Sequence, residues 1–236
     1  MIQFKHDPLK DGISNIEYID HMGSDLSVVN AARVSFDKSD WEYRGLDDPG
    51  VRLRSADVEL IKYLAKHNHW TPFGHAQLSV RVKAPIFVAR QLVKHQVGLV
   101  WNEVSRRYID TPPELYWPEG LNSKADHVKQ GSTGIAHVDS AFYTLKNKAL
   151  LLEVLGAYTA AIRDGIAPED ARMFLPLNMY TEWVWSGTLA AWARVCKLRL
   201  DPHAQVHTRV FAEGIAAVAS AHFPVSFAAL LESSHK

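Results

Sequence analysis

The chain has 236 residues, 47% of them hydrophobic, and its 26 Lys and Arg residues balance 26 Asp and Glu residues. This composition excludes a disordered chain, and the charge balance argues against a surface for polymeric nucleic acid. No stretch approaches the roughly 18 apolar residues that a membrane helix needs, and the N-terminus lacks the pattern of a secretion signal. We therefore expect a single domain over residues 1–236, located in the cytoplasm and without membrane contact.

The first half of the chain predicts two helices and one strand. The polar residues 24–50 are predicted to be irregular. Residues 55–67 have one apolar face, and their first residue, a serine, is expected to be the N-cap of a helix. Residues 75–83 alternate apolar and polar side chains, which is typical of a half-buried strand. Pro85 predicts the first turn of a second helix that ends near Gly98.

The second half predicts further helices around one strand. Residues 111–120 contain three prolines and are predicted to form a loop. The apolar and aromatic run of residues 175–185 is typical of a strand. Helices are expected over residues 139–163, 188–198 and 202–222. Because no βαβ rhythm and no GxGxxG turn is present, the pattern favours an α+β domain over a Rossmann fold.

Residues 90–108 concentrate cationic, amide and hydroxyl side chains around one carboxylate. This mixture is typical of a site for a small anionic ligand, because guanidinium groups hold phosphate in two-point geometry. An extended backbone would point Glu103, Ser105 and Arg107 to one side, where they can hold a sugar hydroxyl and a phosphate together. A solvated basic helix face or a charged surface strand is the alternative interpretation.

Two more cations lie outside that segment. Arg199 is flanked by leucines, so we expect a half-buried guanidinium that needs an anionic ligand, or Asp201, as its partner. Arg172 precedes an apolar run, where it can either hold a phosphate or extend its charged end into water.

Metal and nucleophilic chemistry find little support in the chain. His67, His69 and His75 are close in sequence, but there is no HExxH motif and no cysteine pair, so we expect no metal site. The single cysteine, Cys196, excludes an internal disulfide and falls in a helical apolar pattern, which is typical of a small buried hydrophobe. Ser105 has no base beside it in sequence.

The stretch KHQVGLVWNEVSRRY, residues 94–108, resembles the signature R-H-R-x-x-S-x-N-E-x-S-x-R-Y of the flavin-dependent thymidylate synthases. Flanking stretches are similar in the same order: HNHWTPFGHAQ, KAPIFVARQ, ARMFLPLNMYTEW and LRLDPHAQ. The resemblance covers roughly residues 66–211. It implies an α+β fold with a central, largely antiparallel sheet flanked by helices. It also implies a homotetramer whose active sites are shared between subunits.

The resemblance implies reductive methylation of deoxyuridine monophosphate (dUMP) to dTMP, with FAD as cofactor. Methylenetetrahydrofolate would be the one-carbon donor, and NADPH would reduce the flavin. Arg199 would be the catalytic residue, stabilising negative charge on the uracil ring. The residues implied for dUMP are Gln91, Lys94, Glu103, Ser105, Arg106, Arg107, Arg172 and Arg199. The residues implied for FAD are His69, Thr71, Lys94, His95, Gln96, Glu103, Thr188 and Arg194.

The departures from the family pattern lie on the flavin side. Lys94 and Gln96 replace two arginines, and the motif is one residue longer. Gly74 stands where a glutamate is common, and Arg194, at a position where asparagine is common, can return the charge that Gln96 removes. The altered motif leaves other possibilities open. One is a related enzyme that hydroxymethylates a pyrimidine nucleotide or acts on a cytosine substrate in place of uracil, and another is an inactive homologue that binds nucleotide or flavin.

Overall fold

The computed structural model describes residues 5–37, 53–126 and 131–233. Within these residues the strands are β1 (Lys5–His6), β2 (Asn15–Met22), β3 (Gln77–Pro85), β4 (Leu99–Glu103), β5 (Asn122–Lys124), β6 (Ser132–Ala136) and β7 (Tyr180–Thr188). The α-helices are α1 (Asp25–Arg33), α2 (Ser55–Lys66), α3 (Ile86–Leu92), α4 (Ser140–Arg163), α5 (Pro168–Ala171), α6 (Leu189–Arg199), α7 (Val206–His222) and α8 (Pro224–Glu232).

The main sheet has five strands in the order β1-β2-β3-β7-β4, and each neighbouring pair is antiparallel. The predicted α+β class with an antiparallel sheet is therefore confirmed. In the centre of the sheet, Val80 lies opposite Trp185 and Val82 opposite Trp183. These four side chains are buried. Strands β5 and β6 form a separate two-stranded sheet.

The core lies between one face of this sheet and the helices α1, α2, α6, α7 and α8. On that face the strands present aliphatic and tryptophan side chains, and the indole N–H of Trp192 in α6 donates to the carbonyl of Leu78 (3.0 Å). The alternate residues of β3 and β7 carry polar groups, such as the ion pair between Arg81 and Glu182 (2.6 Å). Because successive side chains of β3 and β7 point to opposite faces of the sheet, one face packs against the core and the other carries the polar groups.

Several sequence predictions are confirmed, and others are wrong in their boundaries. The helices expected over residues 139–163 and 188–198 correspond to α4 and α6, and the strand expected over residues 75–83 corresponds to β3. The helix expected from Pro85 is shorter, because Pro85 ends β3 and the helix stops at Leu92. A left-handed Gly98 (φ +76°) then turns the chain into β4.

The segment of residues 24–50 is not wholly irregular, because α1 occupies its beginning; residues 38–50 lie outside the described residues. The N-cap of α2 is Arg54, and the expected cap residue is the first residue of the helix. Helix α7 begins at Val206, four residues after the predicted start. Strand β2 and helix α8 were not predicted.

Helix α4 exposes apolar side chains along its length. Only Ser140 and Tyr158 of its 24 residues are buried. Exposed fractions reach 60% for Phe142, 74% for Leu145 and 51% for Leu152. Helix α4 therefore presents an apolar surface that the described residues of this chain do not cover. In that same part of the chain, no helix is long and apolar enough to cross a membrane.

Candidate active site

Arg199, at the end of α6, contacts both α3 and the segment that follows it. Its Nε donates to His95 Nε2 (3.0 Å), and its Nη2 donates to the backbone carbonyl of Gln91 (2.8 Å). All three residues are half-buried. The side-chain amide of Gln91 donates to Gln205 Oε1 (2.6 Å), just before α7. The structure thus brings together three predicted site residues that belong to two separate helical regions.

The surroundings of His95 favour its neutral form. Burial lowers the pKa of His95, and the positive charges of Arg199 and Arg194 lower it further. Burial also lowers the pKa of the Arg199 guanidinium, which stays a cation because its ordinary pKa is so high. The alternative partner for Arg199, Asp201, instead accepts hydrogen bonds from the backbone N–H and ring of His203 (2.8 and 2.9 Å).

A second contact from α6 holds the turn between α3 and β4. Arg194 Nη2 donates to the carbonyl of Val97 (2.7 Å), and the backbone N–H of Thr188 donates to the carbonyl of Gly98 (3.0 Å). A Cβ added at Gly98 would lie 3.1 Å from both Thr188 Oγ1 and the Cβ of Ala191. Glycine therefore suits this turn through both its positive φ and its close packing. Lys94 and Gln96 lie exposed before it.

The carboxylate of Glu103 is held at the end of β4 by two donors. Thr181 Oγ1 donates to Oε1 (2.7 Å), and the indole Nε1 of Trp101 donates to Oε2 (3.0 Å). The Trp101 ring stacks on Trp183, with centroids 4.0 Å apart. Sequence reasoning missed Thr181 and Trp101. The sequence carries no signal for this contact, because it depends on the strand register: Glu103 lies opposite Trp183, so Thr181 is its diagonal neighbour.

The extended backbone predicted through Arg107 ends at Glu103, so the predicted common side for Glu103, Ser105 and Arg107 is wrong. The chain leaves the edge of the sheet and turns over residues 106–108. The Arg107 guanidinium lies 5.1 Å from the ring centre of Tyr108 and donates to its hydroxyl (2.9 Å). The Arg106 guanidinium donates to the backbone carbonyl of Thr111.

Three predicted site residues lie on other segments of the chain. Arg172 follows α5, where its Nε donates to the carbonyl of Glu169 (3.3 Å). His69 and Thr71 lie in the connection between α2 and β3, and the His69 ring meets Tyr63 edge-on at 6.0 Å. Within the described parts of the chain, none of the three hydrogen-bonds to Arg199, His95 or Glu103.

The donor set around His95 fits the flavin that the resemblance implies. A flavin dinucleotide carries anionic phosphates and hydrogen-bond acceptors on its ring, so it requires cations and N–H donors. Lys94 and Arg194 provide cations, and the His95 imidazole provides a neutral N–H. The thiol of Cys196 does not belong to this set. It is fully buried, burial raises its pKa to about 12, and it donates a weak hydrogen bond to the carbonyl of Ala212 (3.8 Å).

Comparison with known families gives one consistent result. The family described as thymidylate synthase complementing protein matches residues 17–225. A flavin-dependent thymidylate synthase of Thermus thermophilus is 38% identical over 217 residues, covering 92% of this chain and 75% of the relative. The enzyme of the same name from Thermosipho africanus is 34% identical over 227 residues, covering 94% and 92%.

A solved structure is similar in fold as well. The UMP/dUMP methylase PolB from Streptomyces cacaoi, bound with 5-Br dUMP, superposes with a TM-score of 0.77 at 27% identity. The superposition covers 91% of this chain and 93% of that one. A second structure of the same methylase, bound with 5-Br UMP, gives a TM-score of 0.76.

Proposed function

We propose that this chain, which belongs to the thymidylate synthase complementing protein family, is an FAD-dependent methyltransferase that converts dUMP to dTMP. The flavin-dependent thymidylate synthases that it resembles are 34–38% identical over nearly the whole chain. The observation that carries the proposal is the placement of Arg199, a cation fixed by His95 and Gln91 beside a cluster of further cations. Such a group can stabilise negative charge that develops on a pyrimidine ring.

The nucleotide would be held at both of its ends. Arg199 would face the uracil ring, where a permanent guanidinium stabilises charge without losing a proton. Glu103 would accept from a sugar hydroxyl, and the donors on its two oxygens fix its orientation. Phosphate-binding groups would come from the loop after β4 and from the segment after α5. The residues assigned to dUMP are Gln91, Lys94, Glu103, Ser105, Arg106, Arg107, Arg172 and Arg199.

The flavin side would lie along the turn between α3 and β4. The assigned residues are His69, Thr71, Lys94, His95, Gln96, Glu103, Thr188 and Arg194. Lys94 would neutralise a phosphate as a point charge, without the two-point geometry of arginine. When bound, the flavin supplies hydride, after reduction by NADPH; methylenetetrahydrofolate supplies the one-carbon unit. In this scheme no side chain of the protein attacks the pyrimidine, which agrees with the burial of Cys196.

The proposed active unit is a homotetramer that shares active sites between subunits. Two observations support it: α4 exposes an apolar surface, and within the described residues neither Arg172 nor His69 hydrogen-bonds to Arg199, His95 or Glu103. A second subunit could cover the apolar surface and complete the site. We propose the cytoplasm as its location, as the sequence predicts.

A second candidate function is methylation of UMP as well as dUMP. The structural neighbour is named a UMP/dUMP methylase and has been seen with a brominated form of each nucleotide. The two substrates differ only by the ribose 2′-hydroxyl, so discrimination would rest on the sugar contacts, with Glu103 among them.

The proposal is tested by incubating the purified protein with dUMP or UMP, methylenetetrahydrofolate, FAD and NADPH. Mass spectrometry of the nucleotide distinguishes the candidates. A flavin-dependent gain of one methyl group on dUMP supports a thymidylate synthase, and the same gain on UMP supports the broader substrate range. A hydroxymethyl product, or unchanged nucleotides, would contradict the proposal.

A further inference from the structure

The contact between Arg199 and His95 determines where the imidazole carries its proton. A guanidinium has five N–H donors and no acceptor, so His95 Nε2 must accept the hydrogen bond from Arg199 Nε (3.0 Å). An accepting ring nitrogen carries no hydrogen, and a neutral imidazole has only one N–H. That hydrogen therefore lies on Nδ1.

The charges around the imidazole favour this neutral form. From α6, two cations face it, Arg199 and Arg194. The neighbour on its own segment, Lys94, is a third cation, and Gln91 is uncharged. Within the residues that the structure describes, no carboxylate hydrogen-bonds to the ring. A proton added to His95 would thus enter a cationic environment. It would also occupy the lone pair of Nε2, which accepts the hydrogen bond from Arg199.

We propose that His95 is the positioning residue for Arg199. Its Nε2 holds the guanidinium Nε while the Gln91 carbonyl holds Nη2, so Nη1 is the group available to the ligand. The remaining ring hydrogen, on Nδ1, is the N–H that we assign to the flavin. The ligand class that matches the free Nη1 donor is a pyrimidine base that carries negative charge on an oxygen attached to its ring. This inference rests on the proposed function, because that function assigns Arg199 to the pyrimidine.

The pH dependence follows from the same contact. Burial and the two arginines lower the pKa of His95, so the neutral ring persists to a pH below its ordinary value of 6.5. When the pH falls through the lowered pKa, the ring gains a proton and can no longer accept from Arg199. Arg199 then loses one of the two hydrogen bonds that hold it, the one to His95. We therefore expect kcat/KM for dUMP to fall as the pH is lowered on the acid side of neutrality.

Two matched variants separate positioning from general damage to the site. In His95→Gln, the side-chain oxygen can still accept from Arg199, but the group does not titrate. In His95→Phe, the ring volume remains and the acceptor is lost. At saturating flavin, we expect His95→Phe to lose about 10- to 100-fold in kcat/KM for dUMP, the range expected for a hydrogen bond to a charged group.

We expect His95→Gln to be roughly tenfold more active than His95→Phe and to lack the acid limb of the pH profile. Equal activity of the two variants, or an unchanged acid limb in His95→Gln, would overturn the proposal.

Nitrogen NMR of the apoprotein, labelled with ¹⁵N in histidine rings, provides a readout that does not depend on turnover. The His95 signal is identified by its absence from the spectrum of His95→Gln. An Nδ1–H tautomer supports the contact, and an Nε2–H tautomer overturns it. If the Nδ1–H tautomer is found but no dTMP forms, the proposed function fails while the contact between His95 and Arg199 stands.

Discussion

The guanidinium of Arg194 donates a 2.7 Å hydrogen bond to the backbone carbonyl of Val97, in the turn where the signature motif is one residue longer than its family pattern. The contact joins α6 to the segment that carries Lys94 and Gln96. Besides the positive charge that we propose it returns to the site, Arg194 therefore also holds the longer turn in place.

We expect Arg194→Asn to weaken FAD binding, because the variant loses both the charge and the reach to Val97. Fluorescence titration of the apoprotein with FAD measures the dissociation constant, which should rise about tenfold. Arg194→Lys serves as the matched control that keeps the charge. If Arg194→Asn binds FAD as tightly as the parent protein, the compensating role of Arg194 is wrong.

Gly98 gives a second test of the same turn. We expect Gly98→Ala to lower the free energy of unfolding by about 1–2 kcal/mol, because alanine is strained at a positive φ and its Cβ meets Thr188 and Ala191. Gly165→Ala is the control, since Gly165 also has a positive φ (+91°) but open space around it. Urea unfolding compares the two variants. Of the two, only Gly98→Ala should also weaken FAD binding; equal effects on FAD would contradict the account.

We expect each of the two hydrogen bonds that Glu103 accepts to contribute separately to nucleotide binding. Trp101→Phe keeps an aromatic ring against Trp183 and removes the indole N–H, while Thr181→Val removes the hydroxyl at nearly constant volume. Each variant should raise the KM for dUMP about 3- to 10-fold, because each removes one hydrogen bond to a charged oxygen. Steady-state kinetics at saturating flavin measure the change. An unchanged KM in both variants would show that Glu103 does not depend on them.

Cys196→Ser should retain most of the activity. The thiol is fully buried and its pKa is raised to about 12, so it is neither a thiolate nor accessible to substrate. The buried hydroxyl should lower the free energy of unfolding by about 1–3 kcal/mol. Turnover is compared below the melting temperature of both proteins. Complete loss of turnover in a folded, flavin-binding Cys196→Ser protein would overturn the mechanism without a nucleophile.

The exposed apolar face of α4 is where we expect the proposed homotetramer to be open to disruption. Leu145 and Leu152 are seven residues apart, lie on one face and are exposed in the single chain. If the proposed tetramer uses this face, replacing both by glutamate should shift the sedimenting species from the tetramer to a smaller form, because charge would be buried in an apolar interface. Asn147→Glu, on another face, is the control. A tetramer that survives the double change would place the interface elsewhere.

The family resemblance predicted the antiparallel sheet. Sequence periodicity predicted α4, α6 and β3, because these elements follow from local apolar patterns. They did not predict the contacts that define the site. Arg199 and His95 are 104 positions apart, and Glu103 and Thr181 are 78 apart. Such contacts depend on strand register and helix packing, which one sequence does not specify. The side shared by Glu103, Ser105 and Arg107 was predicted wrongly because the edge strand ends at Glu103.

The most direct test of the central claim is a single turnover without oxygen. Protein whose bound FAD has been reduced is mixed with dUMP and methylenetetrahydrofolate, and flavin absorbance and nucleotide products are followed together. We predict that the flavin becomes oxidised only when both substrates are present, with one dTMP formed per flavin, and that Arg199→Ala loses most of this reaction while still binding FAD. Flavin that stays reduced in the presence of both substrates, or becomes oxidised without forming dTMP, would contradict the account.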